Sequence, residues 1–186
     1  MKRGCMGPHD HSVQFYQDDT FLTESVMKFI REGLTAHETV LIIATAQHRE
    51  ELRKGLTTQE INHDKLWFLD AREQLSTFML DGWPNEQLFK NVMGSLIGPA
   101  SKHGPVRMFG EMVAILWANG DTRAAVRLEE LWNELMKEHS FSILCAYPLA
   151  SFPQESGKDS VLAISRLHTH SHRAEPPNKA SVPAQA

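Results

Sequence analysis

The sequence predicts a three-layer α/β fold, in which a mainly parallel sheet of about five or more strands carries helices on both faces. Apolar runs rich in β-branched residues alternate with segments whose apolar residues recur at helical spacing, which is typical of β-α-β units. The run Thr39–Thr45 is apolar almost throughout, as expected of a parallel strand that is buried on both faces. Right-handed connections between such strands place helices on both sides of the sheet.

The predicted elements follow one another in regular order. The first strand is predicted at Val13–Tyr16, and a helix then begins after Asp18 and ends at Gly33. Further strands are predicted from short apolar runs at residues 39–45, 66–70, 106–110 and 141–147. Further helices are predicted at residues 47–55, 71–81, 85–102, 114–118, 122–139 and 160–170.

The helix at residues 122–139 has the clearest amphipathic pattern. Its apolar stripe is formed by Leu128, Leu131, Trp132 and Leu135. Three acidic residues are predicted to lie on its solvent-exposed side: Glu129, Glu130 and Glu134. The helix therefore presents an acidic surface to any partner that binds there.

The composition is that of one globular domain. Of the 186 residues, 41% are hydrophobic and 23% are charged. Residues 1–10 are predicted to be a flexible lead-in, residues 11–173 the domain, and residues 174–186 a disordered tail. A net charge of -4 disfavours direct binding to nucleic acid or to a membrane surface. With only Cys5 and Cys145, we expect no disulfide framework and a cytoplasmic protein.

Motifs for the commonest enzyme chemistries of this architecture are absent from the sequence. The segment Ala44–Glu51 after the second predicted strand has no glycine and no lysine, so it cannot form the usual phosphate-binding loop. The sequence also has no G-x-G-x-x-G after a strand, no G-x-S-x-G, no H-E-x-x-H and no C-x-x-C. We therefore expect a protein that is not an enzyme.

Candidate binding residues lie at or just beyond the carboxyl ends of four predicted strands: Tyr16, Asp70, Glu111 and Tyr147. Ligands of parallel α/β sheets bind in the crevice at this edge. Gly110 allows the backbone to approach a ligand closely, while the Glu111 carboxylate enters the crevice. Met112 and Trp117 follow directly and are candidate walls of the site.

Structural roles are open alternatives for several of these residues. Asp70 could instead cap the helix that begins at residue 71, because Asp is a favoured N-cap. Glu111 could instead act as a cap or form a salt bridge, for example with Arg107 or Arg127. Cys145 lies within a strand, where a buried cysteine commonly packs as a small apolar residue.

Histidine and cysteine side chains cluster near both ends of the chain: Cys5, His9, His11, His168, His170 and His172. A transition metal ion accepts such ligands. Helical spacing places His168 and His172 on one face, which makes them weak candidates for metal ligands. Because the spacing of the whole set is irregular, the sequence favours adventitious metal binding over a built site.

Several segments together resemble the MEDS domain, a sensory domain named for methanogen and methylotroph regulators. The matching segments lie in order between residues 11 and 172: His11–Tyr16, Glu32–Leu34, Val40–Thr45, His48, Leu52, Leu69–Ala71, Arg107–Trp117, Leu128–Asn133 and Phe141–Pro148. The resemblance implies a core similar to RecA and KaiC that has lost its phosphate-binding loop. The family usually has a Cys three residues before a His near its end; this chain has Ser165 before His168.

The resemblance also implies a function, namely sensing a small organic molecule such as a hydrocarbon derivative. It adds His11 and Cys145 to the candidate ligand-binding set, which becomes Tyr16, Asp70, Glu111, Tyr147, Cys145, His11 and Trp117. His11 begins the first predicted strand, so simple topology places it at the opposite end from the crevice. We expect binding to shift the helices that follow the fourth strand.

The signal is expected to pass through a partner protein, because the chain has no room for a kinase or a DNA-binding domain. A histidine kinase, an anti-sigma protein or a transcription regulator would be such a partner, and a homodimer is also possible. Two alternative functions stay open. One is a ligand-free interaction module that binds through the acidic surface of residues 122–139. The other is a nucleotide-binding remnant in which Glu111 activates water for weak hydrolysis.

Overall fold

The computed structural model describes residues 7, 9–152 and 157–173 and contains eight strands in these segments. The strands are β1 (His11–Tyr16), β2 (Thr39–Ala44), β3 (Leu66–Asp70), β4 (Met79–Leu80), β5 (Trp83–Pro84), β6 (Val106–Gly110), β7 (Phe141–Pro148) and β8 (His170–Arg173). The helices are α1 (Asp19–Thr35), α2 (Ala46–Gly55), α3 (Thr58–Ile61), α4 (Ala71–Phe78), α5 (Glu86–Ser101), α6 (Met112–Ala118), α7 (Thr122–Glu138) and α8 (Gly157–Arg166). Within these described segments, no helix has both the length and the hydropathy needed to cross a membrane.

Six strands form one parallel sheet in the order β3-β2-β6-β7-β1-β8. The predicted three-layer α/β fold is confirmed, and each of the five predicted strands is present. The sixth strand, β8, was not predicted and pairs with the outer edge of β1. The predicted lead-in lies mostly, and the predicted tail entirely, outside the described residues.

Helices cover both faces of this sheet. On one face, α1 and α2 pack against alternate side chains of β2, such as Val40 and Ile42. On the other face, α4 to α8 pack against the intervening side chains, such as Leu41 and Ile43. Burial on both faces explains why β2 is apolar at every position after Thr39.

Two predicted helices differ from the structure by three or more residues at an end. The helix predicted at 71–81 ends at Phe78, because an antiparallel hairpin of β4 and β5 follows it. Asp81 and Gly82 turn this hairpin with φ angles of 49° and 78°, a left-handed conformation that Asp and Gly tolerate. The last helix, predicted at 160–170, instead spans Gly157–Arg166, so the chain is extended again at β8.

The topology defines a crevice at the carboxyl edge of the sheet. The chain leaves β2 towards the face of α1 and α2, whereas it leaves neighbouring β6 towards the face of α6 and α7. Such a reversal opens a crevice between the two strand ends, which is where ligands of this fold class bind. Thr45 and Glu111 are the residues that follow these two strands.

Candidate functional site

Glu111 lies at the crevice with its carboxylate buried and only 3% of the residue exposed. Its Oε2 accepts a hydrogen bond of 2.7 Å from the backbone N–H of Thr45, at the start of α2. Its Oε1 accepts a hydrogen bond from Nδ1 of His48, one turn further along α2. This bond outweighs burial and raises the pKa of His48, so the contact with Glu111 favours the protonated imidazole.

Glu111 therefore forms a salt bridge, as one sequence alternative allowed, but its partner is His48 rather than Arg107 or Arg127. Arg107 is buried beneath α1, where it pairs with Glu38. Arg127 lies on α7 and contacts three carboxylates: Glu86, Glu130 and Glu134. Both guanidinium groups form ion pairs with other acidic side chains. Glu111 is therefore paired with His48 alone among these basic residues.

Tyr16 ends β1 and lies close to the Glu111 and His48 pair. Burial, followed by the negative charges of Glu111 and Asp19, raises the pKa of Tyr16 well above its usual range. Its hydroxyl is therefore neutral and able to donate a hydrogen bond. The Nε2 of His48 is buried without a hydrogen-bond partner, since the nearest carboxylate oxygen, Asp19 Oδ1, is 3.7 Å away.

Asp70 ends β3 and has a structural role, as one of the two sequence interpretations predicted. Its Oδ1 accepts hydrogen bonds from the backbone N–H groups of Arg72 at 2.9 Å and Glu73 at 3.1 Å, so it caps α4. Its Oδ2 pairs with Arg49 of α2. The cap lowers the pKa of Asp70. Asp70 thus joins α2 to α4 beside the crevice.

A second polar group lies beneath the sheet, between β1, β7, α7 and the segment after α8. It consists of His11, Glu129, Cys145 and His168, whose side chains are all buried. The Oε2 of Glu129 is 3.1 Å from His11 Nε2, 3.3 Å from Cys145 Sγ and 3.4 Å from His168 Nε2. We call these four residues the buried cluster.

Tyr147 extends the buried cluster along β7. Its hydroxyl donates a hydrogen bond of 2.7 Å to Oε1 of Glu129. Burial and the charge of Glu129 raise the pKa values of Tyr147 and Cys145 well above their usual range. Burial alone would raise the pKa of Glu129 too, but His168 and His11 outweigh it and hold that pKa below its usual range.

The structure divides the predicted binding residues between these two places. Tyr16, Glu111 and Asp70 lie along the crevice edge, whereas His11, Cys145 and Tyr147 lie at the buried cluster. His11 begins β1 and Tyr16 ends it, which agrees with the predicted separation of His11 from the crevice.

Two sequence predictions about the buried cluster are wrong. Glu129 was predicted to face solvent, but none of it is exposed. His168 and His172 were predicted to share a helical face, yet α8 ends before them, and His172 is exposed on β8. Cys145 is buried as predicted, although its Sγ lies among polar atoms rather than in a purely apolar setting.

A groove of about 290 Å³ lies beside α7 and the hairpin. Its lining is Trp83, Trp117, Thr122, Arg123, Val126, Arg127 and Glu130. Trp83 of β5 is 45% exposed, while Trp117 is buried. The Trp117 ring also meets the Tyr147 ring edge-on, with 5.9 Å between their centroids. Met112, the other predicted wall, is buried in the core.

Sequence reasoning missed three residues that organise these sites: His48, Glu129 and Asn133. In the sequence, His48 has a signal only as part of the resemblance. It lies in the first turn of α2, where its side chain reaches Glu111 at the end of neighbouring β6. Glu129 lies four residues after Ala125 and three before Trp132, a spacing that places it on the buried stripe of α7. Asn133 follows by one more turn and accepts a hydrogen bond from His11 Nδ1.

The fold and the two polar groups define a three-layer α/β domain with a polar crevice at the carboxyl edge of its sheet. The family model of the MEDS domain, described as the methanogen/methylotroph, DcmR sensory domain, matches residues 10–169. The chain therefore belongs to the MEDS family of sensory domains. A search among curated proteins found no match for the chain.

Proposed function

We propose that this sensory domain binds a small organic molecule in the crevice between β2 and β6, with Glu111, His48 and Tyr16 holding its polar end. The observation that carries the proposal is the Nε2 of His48, a buried polar atom without a hydrogen-bond partner beside a buried carboxylate. A buried unpaired donor is costly, so a ligand oxygen that accepts its hydrogen bond gains the full value of that bond.

The chemistry of the crevice selects a ligand oxygen that accepts hydrogen bonds. His48 donates Nδ1–H to Glu111, and its protonated form, which the raised pKa favours, offers Nε2–H as a second donor. The neutral Tyr16 hydroxyl is a further donor. An alcohol, aldehyde or other oxygenated hydrocarbon derivative matches this arrangement through its oxygen.

The same geometry disfavours a nucleotide-binding remnant. Phosphate groups bind at a helix N-terminus through the backbone N–H groups of its first turn. At α2, the Glu111 carboxylate already accepts the N–H of Thr45, and its negative charge repels a phosphate. We therefore expect binding without turnover.

The acidic surface of α7 gives little support to a ligand-free interaction module. Glu130 and Glu134 are both paired with Arg127, so the charge of this surface is partly neutralised. Glu129 does not contribute, since it is buried. The sensory interpretation thus accounts for more of the structure.

Ligand binding would be passed on through α1 and α6, which border the crevice. Asp19 begins α1 and lies beside His48, while Glu111 is the residue before α6. A ligand that favours one position of these helices shifts the population of the whole domain towards it. A histidine kinase, an anti-sigma protein or a transcription regulator that contacts the helices would then receive the signal.

Saturation-transfer NMR with a panel of short alcohols, aldehydes and carboxylates tests this proposal. We expect signals from at least one oxygenated probe with the wild type, and their loss in Glu111→Gln and in His48→Gln. Trp83→Ala is the matched control, because Trp83 lines the groove and not the crevice. Binding that survives both crevice variants and is lost in the control would move the site to the groove and refute the proposal.

A further inference from the structure

We infer that the buried cluster of His11, Glu129, Cys145 and His168 is a binding site for a divalent transition metal ion of the Zn²⁺ class. The four ligand atoms come from four separate segments and lie within 4.8 Å of one another. Two imidazole nitrogens, one sulfur and one carboxylate oxygen form a donor set that suits borderline-soft ions such as Zn²⁺. The proposal is independent of the ligand proposed for the crevice.

The spacing of the donor atoms fits tetrahedral coordination. Metal–ligand distances of about 2.0–2.3 Å give separations of about 3.3–3.8 Å between ligand atoms at the corners of a tetrahedron. The observed separations are 3.1 Å for His11 and Glu129, 3.3 Å for Cys145 and Glu129, 3.4 Å for His168 and Glu129, and 3.5 Å for Cys145 and His11. The two remaining separations, which join His168 to His11 and to Cys145, are no more than 4.8 Å, so the side chains need to move by about an ångström or less to surround one ion.

Both histidines present a lone pair to the centre of the cluster. His168 Nδ1 is 2.8 Å from the backbone carbonyl of Ile164, which can only accept, so Nδ1 carries the hydrogen. His11 Nδ1 is 3.0 Å from Oδ1 of Asn133, whose amide is oriented because its Nδ2 donates to the carbonyl of Leu167 at 2.9 Å. Each Nε2 is thus the free ligand atom, and oxygen acceptors behind the rings are the usual support of metal-bound histidines.

A metal ion also explains features that the protein atoms alone leave unsatisfied. His168 Nε2 is buried and forms no hydrogen bond, although it points at the cluster. The rings of His11 and His168 lie with their centroids 4.0 Å apart, which is unfavourable if both are protonated. One divalent cation with a thiolate, a carboxylate and two neutral imidazoles makes a group of zero net charge, which lowers the cost of burial.

Four protein ligands and a buried position indicate a structural site rather than a catalytic one. The ion would tie α7 to both β1 and β7 and would hold the segment after α8 against them. Binding forms four coordinate bonds, involves no change of oxidation state, and releases the thiol proton of Cys145 to solvent. Tyr147 supports the site from behind, since its hydroxyl donates to the other oxygen of Glu129.

Metal content and Co²⁺ spectroscopy test the site on the full chain. We expect one zinc ion per chain in the purified wild type, or one Co²⁺ per chain when it is refolded with Co²⁺. The Co²⁺ form should show the absorption of a tetrahedral ion together with a thiolate charge-transfer band. Cys145→Ser should lose this band and bind the ion at least about tenfold more weakly. His172→Asn is the matched control and should match the wild type, because His172 is exposed on β8.

Each result decides the question. Substoichiometric metal in both preparations, a Co²⁺ spectrum without the thiolate band, or full binding by Cys145→Ser would overturn the proposal. Loss of binding in His172→Asn would assign the ion to the exposed histidines instead. Circular dichroism shows whether Cys145→Ser folds; if it does not, the wild-type Co²⁺ spectrum alone decides, since it requires no variant.

Discussion

Replacement of Glu111 by glutamine tests the crevice in the free protein. The carboxylate accepts two hydrogen bonds, one from the backbone N–H of Thr45 and one from the His48 ring. A glutamine amide offers one oxygen and one NH₂ group. Either the Thr45 N–H or the His48 N–H would then face the NH₂ group, which is itself a donor and cannot accept a hydrogen bond. Loss of one buried hydrogen bond to a charged group costs about 1.5–3 kcal/mol. We therefore expect Glu111→Gln to lower the free energy of unfolding by about 2–3 kcal/mol.

The size of this loss should depend on pH through His48. Because its pKa is raised in the folded protein, the charged pair stabilises fully below about pH 6.5, the ordinary pKa of histidine. That contribution is lost as the pH rises through the raised pKa of the folded state. The difference between wild type and Glu111→Gln should hence be larger at about pH 6 than at about pH 9.

Urea unfolding followed by tryptophan fluorescence measures both quantities, with linear extrapolation to water. Glu24→Gln is the matched control, since it makes the same chemical change at an exposed position of α1. A loss below about 0.5 kcal/mol in Glu111→Gln, similar to an ordinary surface substitution, would refute the hydrogen bonding described here. A difference that grows with pH would refute the assignment of the charged partner to His48.

Four further predictions concern the buried cluster, the packing and the groove. Tyr147→Phe leaves an oxygen of buried Glu129 without its donor and should cost about 1–3 kcal/mol in chemical denaturation. Gly33→Ala should cost about 1–3 kcal/mol, because a Cβ there would lie 2.7 Å from a side-chain atom of β2. Gly94→Ala, where a Cβ would make only an ordinary contact of 3.5 Å with His139 Nε2, should instead stabilise α5 by about 0.5–1 kcal/mol. Trp83→Ala should lower the free energy of unfolding by about 1–2 kcal/mol, because Trp83 is only 45% exposed and the rest of this large apolar side chain is buried.

The parallel sheet could be predicted because its strands carry their own signal. Each of the five predicted strands is a short apolar run, and burial on both faces demands that pattern. The strand β8 has no such signal, since His170–Arg173 is polar and becomes a strand only by pairing with the edge of β1. The Asp81-Gly82 pair is a typical hairpin turn sequence. The predicted helix wrongly extends to residue 81 because this turn was not taken into account.

The crevice could be predicted in position but not in its contacts. Parallel topology alone places Tyr16 and Glu111 at the carboxyl edge of the sheet. The choice of His48 over Arg107 as the partner of Glu111 depends on which face each helix covers, and local sequence does not encode that. Asp70 was open to two interpretations because capping and binding both require a carboxylate at a strand end.

The buried cluster could not be predicted, because it is assembled from segments that are distant in sequence. His11 and Cys145 are 134 positions apart and meet only because β1 pairs with β7. The acidic composition of α7 also misled the prediction, since Glu129 was grouped with its acidic neighbours instead of with the stripe that it shares with Ala125 and Trp132. A carboxylate on a buried stripe requires a partner, which is a signal for a polar site.

The crevice and the buried cluster are connected through α6. Glu111 is the residue before this helix, and Trp117 lies near its end with its ring edge-on to Tyr147. The Tyr147 hydroxyl in turn holds Glu129 of the buried cluster. Closely packed interiors cannot absorb a displaced helix without loss of contacts. A ligand that moves Glu111 but leaves α6 in place therefore has no effect on the buried cluster by this route. A ligand that moves α6 disturbs the packing of Trp117 on Tyr147, and the change then reaches the buried cluster through the Tyr147 hydroxyl.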